Sequence, residues 1–113
     1  MSAKPKSMPP AVLSHVARRF ALLGEATRLG ILQCLMGGER PVNDVVEATG
    51  STQANVSRHL KILHDAALVS RRRQGTQVFY GIADPSLFRL CEIVCTTLAD
   101  KAAAEAKSLA KHR

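Results

Sequence analysis

The feature that most constrains the fold of this chain is a change of hydrophobic period near residue 68. From Gln53 to Ala67, apolar residues recur at the spacing of a helix, which predicts an amphipathic helix. Residues 68–73 and 77–83 are instead rich in β-branched and aromatic side chains, and they flank the turn Gln74-Gly75-Thr76. This arrangement predicts a two-stranded hairpin, so the chain is expected to be mainly helical with a small β element.

A shorter helix is predicted immediately before the amphipathic one. Asn43 or Asp44 can cap it, it continues through Ala48, and Gly50 ends it. A hydroxyl residue at position 51 or 52 would then cap the helix that begins at Gln53. Two helices joined by a glycine-containing turn and followed by a hairpin are the elements of a winged helix-turn-helix. We therefore expect that fold, mainly α, with about five helices and a two-stranded wing.

Three further helices are expected around this unit. The first ends at Gly24, and the second extends from Glu25 to Met36 with apolar residues on two sides, which favours burial on both sides. The last begins at Asp84-Pro85, a capping residue followed by a first-turn proline. The first helix carries an apolar stripe that is expected to pack inward: Val12, Leu13, Val16, Ala17, Phe20 and Leu23.

Length, charge and cysteine content limit the class of protein. The 113 residues fit one domain, with residues 1–10 as a disordered basic arm and residues 11–113 as the folded unit. A net charge of +7 favours a polyanionic partner such as nucleic acid or an acidic membrane surface. No apolar run reaches the roughly 18 residues that span a bilayer, and the arm lacks a secretory signal, so a cytoplasmic protein is expected. Three cysteines without a C-x-x-C pair would be free thiols or a sensor there.

The helix from Gln53 and the hairpin carry the candidate DNA-binding residues. The major groove, about 12 Å wide, admits an α-helix whose amide, hydroxyl and guanidinium groups can bond to base edges or phosphates. Arginines of the hairpin could contact the adjacent phosphates or the minor groove. The predicted set is Ser51, Thr52, Gln53, Asn55, Ser57, Arg58, His59, Lys61, Arg71, Arg72, Arg73 and Gln77.

A solvated surface is the simpler interpretation of each feature alone. Most polar helix faces merely meet water, and a run of arginines can protect the edge of a sheet. The order of the elements favours DNA binding instead. No phosphate-binding loop, paired nucleophile and base or metal-water site is recognisable in the sequence, so an enzyme is not expected.

Three segments within residues 18–85 resemble one family of DNA-binding proteins. They are ATRLGIL in the second helix, QANVSRHLKILHDAALV in the predicted recognition helix, and SRRRQGTQVFYGIADP in the wing and the start of the last helix. These segments are similar to the ArsR/SmtB family of bacterial repressors. The resemblance implies a homodimer, built on the first and last helices, that binds an imperfect palindrome of double-stranded DNA and leaves it when an inducer binds.

Dimerisation is also expected from the residues themselves. A single recognition helix contacts few base pairs, whereas a two-fold pair contacts half-sites about one helical turn apart. The last helix carries a continuous apolar seam made of Leu87, Leu90, Val94 and Leu98.

Two metal sites that are common in the family are not expected here. Its members place cysteines at the start of the helix before the recognition helix, or Asp and His ligands along the last helix. The first location reads VNDVVEA, without cysteine, and Asp100 and His112 lack a paired ligand spacing. Zinc usually takes about four nitrogen or sulfur ligands, so zinc sensing and an obligatory cofactor are not expected.

The cysteines are the remaining candidate sensor. Cys91 and Cys95 are four residues apart, which places both thiols on one face of the last helix, close enough to share trivalent arsenic or antimony. Cys34 could supply a third sulfur, or oxidation could join it to one of the others. The family also contains persulfide or redox repressors, but their cysteine pair would align with Gln33 and near Leu98.

Inert thiols are the alternative, because free cysteines are commonly buried in the core. The protein would then be a constitutive or architectural DNA-binding protein without an inducer. We favour a homodimeric repressor that releases its operator when Cys34, Cys91 and Cys95 sense trivalent arsenic or antimony, reactive sulfur or an oxidant.

Overall fold

A computed structural model describes residues 7–111 of the chain. Within this range the elements are α1 Pro10–Leu23, α2 Ala26–Leu35, β1 Arg40–Pro41, α3 Val42–Thr49, α4 Gln53–Asp65, β2 Val69–Gln74, β3 Gln77–Ile82 and α5 Ser86–Lys111. The predicted winged helix-turn-helix is confirmed, with α3 and α4 as the helix-turn-helix and β2 and β3 as the wing. Most of the predicted basic arm lies outside the described residues, and α1 begins at its last residue, Pro10.

The core lies between α2, α3 and α4 and is closed by the base of the wing. The row Val56, Leu60 and Leu63 of α4 is fully buried, as its helical spacing predicts. Because this row faces the core, the opposite face of α4 is directed towards solvent. The buried apolar residues are Leu23, Ile31, Leu32, Leu35, Val45, Val56, Leu60, Leu63, Leu68, Val69 and Leu87.

The helix starts follow the expected capping chemistry in α4 and α5. The Thr52 hydroxyl accepts a hydrogen bond from the backbone N–H of Asn55 at 3.1 Å, so residue 52 rather than residue 51 caps α4. The carboxylate of Asp84 accepts from the backbone N–H of Ser86 at 3.0 Å at the start of α5. The predicted cap of α3 at residue 43 or 44 is wrong, because the chain passes directly from Pro41 of β1 into a helix that begins at Val42.

The end of α4 differs from the prediction. The helix ends at Asp65 rather than Ala67, and Ala67 has a φ of 60°. The N–H of Ala67 donates to the carbonyl of His64 at 2.9 Å, and the N–H of Leu68 donates to the carbonyl of Leu63 at 3.0 Å. This pair of hydrogen bonds is the Schellman arrangement, which usually places glycine where this chain has alanine.

The wing has the predicted form and one additional strand. Gln74 pairs with Gln77, so Gly75 and Thr76 form a two-residue turn in which Gly75 has a φ of 63°. The sheet order is β1-β3-β2, with Arg40 of β1 opposite Tyr80 of β3. At two residues, β1 is too short to show an alternating pattern in the sequence, and the prediction missed it.

The prediction that the α1 stripe packs inward is wrong for the single chain. Leu23 is buried, but Val12, Leu13 and Phe20 are 43%, 52% and 60% exposed. The reason is geometric, because α1 meets the core only near its C-terminal end. Leu29 of α2 is also exposed, so α2 is not buried on both sides. Across residues 7–111, no helix is long and apolar enough to cross a membrane.

Candidate nucleic-acid interface and thiol cluster

The first turns of α4 present most of the predicted polar residues to solvent. Gln53, Ser57 and Arg58 are exposed, and Ser51 and Asn55 are half-buried. The side-chain amide of Asn55 donates to the Ser51 hydroxyl at 2.7 Å, which ties the turn before α4 to the helix. Thr52 and Lys61 complete the exposed part of the set.

The wing lies beside this face. Gln53 and Ser57 of α4 line a cleft of about 260 Å³ together with Thr76 and Gln77 of the wing. Helix and wing therefore form one continuous surface, which we call the α4–wing surface. Its residues are Ser51, Thr52, Gln53, Asn55, Ser57, Arg58, Lys61, Arg71, Arg73 and Gln77.

The three wing arginines are not equivalent. The Arg72 guanidinium forms an ion pair with Glu39, with 3.0 Å between Nη2 and Oε1, and lies 4.8 Å from the ring centroid of Phe79. Its Nη1 also donates to the side chain of Gln74 at 2.7 Å. Arg71 and Arg73 are exposed and alternate with Arg72 along β2, so they project from the other face of the strand.

Lys61 is exposed but paired within its helix. Its ammonium group lies 2.9 Å from the carboxylate of Asp65, one turn away. The hydrogen bond raises the pKa of Lys61 and lowers the pKa of Asp65. The Lys61 side chain is 76% exposed, so the pair stabilises the fold little and the ammonium group can exchange to another anion.

The expectation that His59 lies on the exposed face is wrong. The residue is 5% exposed, and its ring packs towards the start of α2 beside Glu25 and Arg28. Burial lowers the pKa of His59, and the charges of Arg58 and Arg28 lower it further, while Glu25 opposes them. The signal was present in the sequence, since position 59 follows Val56 by three residues and so lies on the buried row. His59 is not part of the α4–wing surface.

The predicted thiol pair lies at an apolar groove. Cys91 and Cys95, both half-buried, line a cavity of about 290 Å³ between α1, α2 and α5. Burial raises the pKa of the Cys91 thiol, and the adjacent Cys95 thiol raises it further. Gln33 of α2 donates a hydrogen bond from Nε2 to the Cys91 sulfur at 3.0 Å, a contact that the sequence did not predict. Apolar side chains form most of the remaining wall: Phe20, Leu23, Leu29, Leu32, Met36, Leu87, Leu90, Val94 and Leu98.

Cys34 does not join this pair within the chain. It is half-buried and packs against the core, and it is not among the residues that line the groove. Over residues 7–111, no three His, Cys, Asp or Glu side chains gather closely enough to hold a metal ion. The predicted three-sulfur site with Cys34 is therefore wrong for a single chain, because the face of α2 that meets Cys91 carries Gln33 instead.

The fold and the α4–wing surface define a winged helix-turn-helix of the kind found in DNA-binding regulators. The family described as "Bacterial regulatory protein, arsR family" matches residues 25–71, which include α2, α3 and α4. The probable mercury resistance operon repressor of Streptomyces lividans is 41% identical over 88 residues, which cover 78% of this chain and 70% of that protein. The chain belongs to the ArsR family of transcriptional regulators, which are not enzymes.

Further relatives agree with this assignment. The HTH-type transcriptional regulator CmtR of Mycobacterium bovis is 38% identical over 87 residues, covering 76% of this chain and 74% of that protein. An HTH-type transcriptional regulator of Mycobacterium tuberculosis is 40% identical over 103 residues, or 88% of this chain, but the chain spans only 46% of that longer protein.

Solved structures show the same fold. The crystal structure of the AntR antimony-specific transcriptional repressor superposes with a TM-score of 0.79 at 28% identity, covering 91% of this chain and 98% of that one. The solution structure of the homodimeric winged helix-turn-helix DNA-binding domain Mb0332 from Mycobacterium bovis gives 0.72 at 36% identity, covering 88% and 92%.

Proposed function

We propose that this chain is a cytoplasmic, homodimeric repressor that binds an imperfect palindrome of double-stranded DNA and releases it when a thiophilic inducer reacts with Cys91 and Cys95. The observation that carries the DNA-binding part is the continuous α4–wing surface, in which the exposed start of α4 lies beside the wing. The exposed groups there are amides, hydroxyls and guanidiniums, which bond to base edges and phosphates.

The exposed apolar residues of the terminal helices support a homodimer. Phe20 of α1 and Ile93, Val94 and Leu98 of α5 are between 45% and 66% exposed. Large apolar side chains concentrated on two helices form a patch of the kind that subunit interfaces cover. A second copy of the chain is the occupant that also supplies the second recognition helix.

The geometry of the thiols supports the proposed inducer. Two protonated thiols on adjacent turns can each displace a hydroxide from arsenous acid, As(OH)₃. The products are a bis-thiolate arsenic centre that keeps one hydroxide, and two water molecules, so no oxidant is required. The similarity to a probable mercury resistance operon repressor and to an antimony-specific repressor supports a thiophilic inducer of this class. Reactive sulfur or an oxidant acting on the same pair is the second candidate.

DNA binding is tested with a duplex selected from a random-sequence pool by the full chain. Fluorescence anisotropy should show tight, salt-dependent binding, and an Arg58→Ala variant should bind more weakly by about 1–3 kcal/mol while remaining folded. Glu47→Ala, at an exposed position of α3, is a matched control. If no duplex is enriched, or if Arg58→Ala binds as tightly as the wild type, the proposed DNA surface is incorrect.

The inducer is tested by native mass spectrometry of the reduced protein. Arsenite and a persulfide donor are added separately, and peptide mapping identifies the cysteines that change. We expect a dimer that retains arsenic at Cys91 and Cys95, and a Cys91→Ser, Cys95→Ser variant that binds DNA but ignores arsenite. A Cys34→Ser variant, whose residue lies outside the groove, is the control and should respond normally.

Constitutive DNA binding with structural thiols is the alternative function, favoured by the partial burial of all three cysteines. Unchanged masses under both treatments, together with thiol-independent DNA binding, would select it.

A further inference from the structure

The buried His59 ring lies between charged groups of two helices. Its Nδ1 is 3.4 Å from Nη1 of Arg28 and 3.9 Å from Oε2 of Glu25, both at the start of α2. Its Nε2 is 3.4 Å from Nη2 of Arg58, which belongs to the exposed face of α4. The ring therefore connects the inside of the domain to a residue of the α4–wing surface.

Two guanidiniums face the ring, but a neutral ring can accept a hydrogen bond from only one of them. A neutral imidazole has one nitrogen that donates and one that accepts, and a guanidinium can only donate. Nδ1 lies 3.4 Å from Nη1 of Arg28 and 3.9 Å from Oε2 of Glu25, and Arg28 also donates to two backbone carbonyls. The tautomer with its proton on Nδ1 leaves Nε2 to accept from Arg58. A doubly protonated ring could not accept from Arg58 and would place a third positive charge between two guanidiniums.

The inner side of the ring is held rigidly. Arg28 Nε donates to the carbonyl of Leu22 at 2.6 Å, and Nη2 donates to the carbonyl of Ala21 at 3.4 Å. The backbone N–H of Arg28 also donates to Glu25 Oε2 at 2.9 Å. These bonds hold Arg28 and Glu25 at the junction of α1 and α2, so the groups beside Nδ1 of His59 have defined positions.

The outer side of the ring meets a guanidinium that has a second acceptor on the same helix. Nη2 of Arg58 donates to the Asn55 side-chain carbonyl at 2.8 Å, and Asn55 in turn donates to Ser51 at 2.7 Å. Nη2 carries two hydrogens, so Asn55 and His59 can hold both. Within the described chain, Nη1 and Nε of Arg58 have no hydrogen-bond partner, which leaves them for a phosphate or a base edge.

We infer that His59 is a positioning residue, which holds the Arg58 guanidinium at the α4–wing surface in the orientation that contacts DNA. This inference rests on the proposed DNA-binding function. His59 itself does not touch DNA, because it is buried. Its contribution to affinity is therefore predicted to act entirely through Arg58.

The test compares variants that keep or lose the acceptor at the position of Nε2. In His59→Gln the amide oxygen can accept from Arg58, whereas in His59→Leu nothing can. We expect His59→Leu to weaken binding to the selected duplex by about threefold to tenfold, the range of one net hydrogen bond, and His59→Gln to retain most of the affinity. His64→Leu, at an exposed position of the same helix, is the matched control.

A double-mutant cycle separates positioning from a purely structural role. Adding His59→Leu to Arg58→Ala should cause no further loss of affinity, because the group that His59 positions is already absent. An equal loss in both backgrounds, or wild-type affinity in His59→Leu, would overturn the inference. If His59→Leu is unfolded at the assay temperature, His59→Asn replaces it, since its shorter amide reaches the position of Nδ1 but not that of Nε2. Failure of the wild type to select any duplex would instead refute the proposed function.

Discussion

The side-chain amide of Gln33 donates a hydrogen bond to the sulfur of Cys91 across the boundary of α2 and α5, with 3.0 Å between Nε2 and Sγ. Burial and the neighbouring Cys95 thiol raise the pKa of Cys91, and the Gln33 hydrogen bond opposes this rise. A thiophilic ligand reacts with the thiolate more readily than with the thiol. Gln33 therefore partly offsets the effects that make this half-buried thiol less reactive.

Replacing Gln33 with Leu should raise the pKa of Cys91 further, because the thiolate loses its hydrogen-bond donor. Alkylation of Cys91 by iodoacetamide at mildly alkaline pH should slow relative to the wild type. Mass spectrometry of the peptides measures the rate, and Cys34, which lies outside the groove, serves as the internal reference. Equal rates at Cys91 in the two proteins would show that the hydrogen bond does not control the thiolate.

A charge within the exposed apolar surface should dissociate the proposed dimer. Phe20 is 60% exposed in the single chain, and Phe20→Asp would bury a carboxylate at the interface without a partner. Light scattering coupled to size exclusion should then give the mass of one chain where the wild type gives two. Ala48→Asp, at an exposed position of α3, is the control and should leave the mass unchanged. A dimeric Phe20→Asp variant would exclude α1 from the interface.

The wing arginines should separate into two classes. Arg71 and Arg73 are exposed and can contact phosphates. The slope of log K for DNA binding against log salt concentration should therefore become shallower by about 0.9 for each phosphate contact that the Arg71→Ala, Arg73→Ala variant removes. Arg72→Ala should leave the slope nearly unchanged, because Arg72 is already paired with Glu39 and stacked on Phe79. Anisotropy titrations at several salt concentrations give the slopes. A larger slope change for Arg72→Ala would reverse this assignment.

Ala67→Gly should stabilise the fold. An L-residue in the left-handed region costs about 1–2 kcal/mol, and glycine avoids this cost but has greater freedom in the unfolded chain. We expect the free energy of unfolding to rise by about 0.5–1 kcal/mol, measured by urea denaturation. Ala66→Gly is the control, because residue 66 has a φ of −88° and gains nothing from glycine. A decrease in stability for Ala67→Gly would contradict the strained geometry.

The stability of the fold should decrease as the pH falls below the ordinary pKa of histidine, 6.5. Burial of His59 and the adjacent Arg58 and Arg28 lower its pKa, against Glu25, so the unfolded chain takes up this proton more readily than the folded chain. The contribution of neutral His59 to the free energy of unfolding is therefore fully present above pH 6.5. It declines as the pH falls towards the lower pKa of His59 in the folded state. Urea unfolding from about pH 7.5 to pH 5 measures the decline.

His59→Gln should flatten this dependence, because glutamine does not titrate. The Glu25 carboxylate has a pKa lowered from 4.5, first by the backbone N–H of Arg28 and then by that of Thr27, so its effect begins only below pH 4.5. The decline due to Glu25 therefore begins at a lower pH than the decline due to His59. An equally steep decline in the variant above pH 5 would assign the effect to another group.

The sequence predicted the elements better than it predicted their environments. The period of α4 identified its buried row and its polar face, because both follow from local spacing. The same spacing led us to place His59 on the exposed face. A polar side chain at the margin of the apolar row can instead turn inward when polar partners such as Glu25 and Arg28 lie there. Those partners are 31 or more residues away in the chain, and only the tertiary structure brings them together.

The apolar stripe of α1 illustrates a different limit. Its spacing predicted a covered face, but periodicity cannot distinguish burial by the same chain from burial by another.

Cys34 and Gln33 illustrate a third limit, because neighbouring positions on a helix point in different directions. Gln33 meets Cys91, while Cys34 packs against the core. One residue of offset thus decides whether the second helix supplies a sulfur or an amide.

The Schellman turn at Ala67 joins α4 directly to β2, the first strand of the wing, with Leu68 buried beneath it. Two consecutive hydrogen bonds and a buried side chain restrain this joint, so we expect α4 and the wing to move together. In the proposed dimer we therefore expect an inducer to leave the α4–wing surface of each copy intact. We expect it to change instead the phase of the two copies, that is, the distance and rotation between two surfaces that must meet DNA about one helical turn apart.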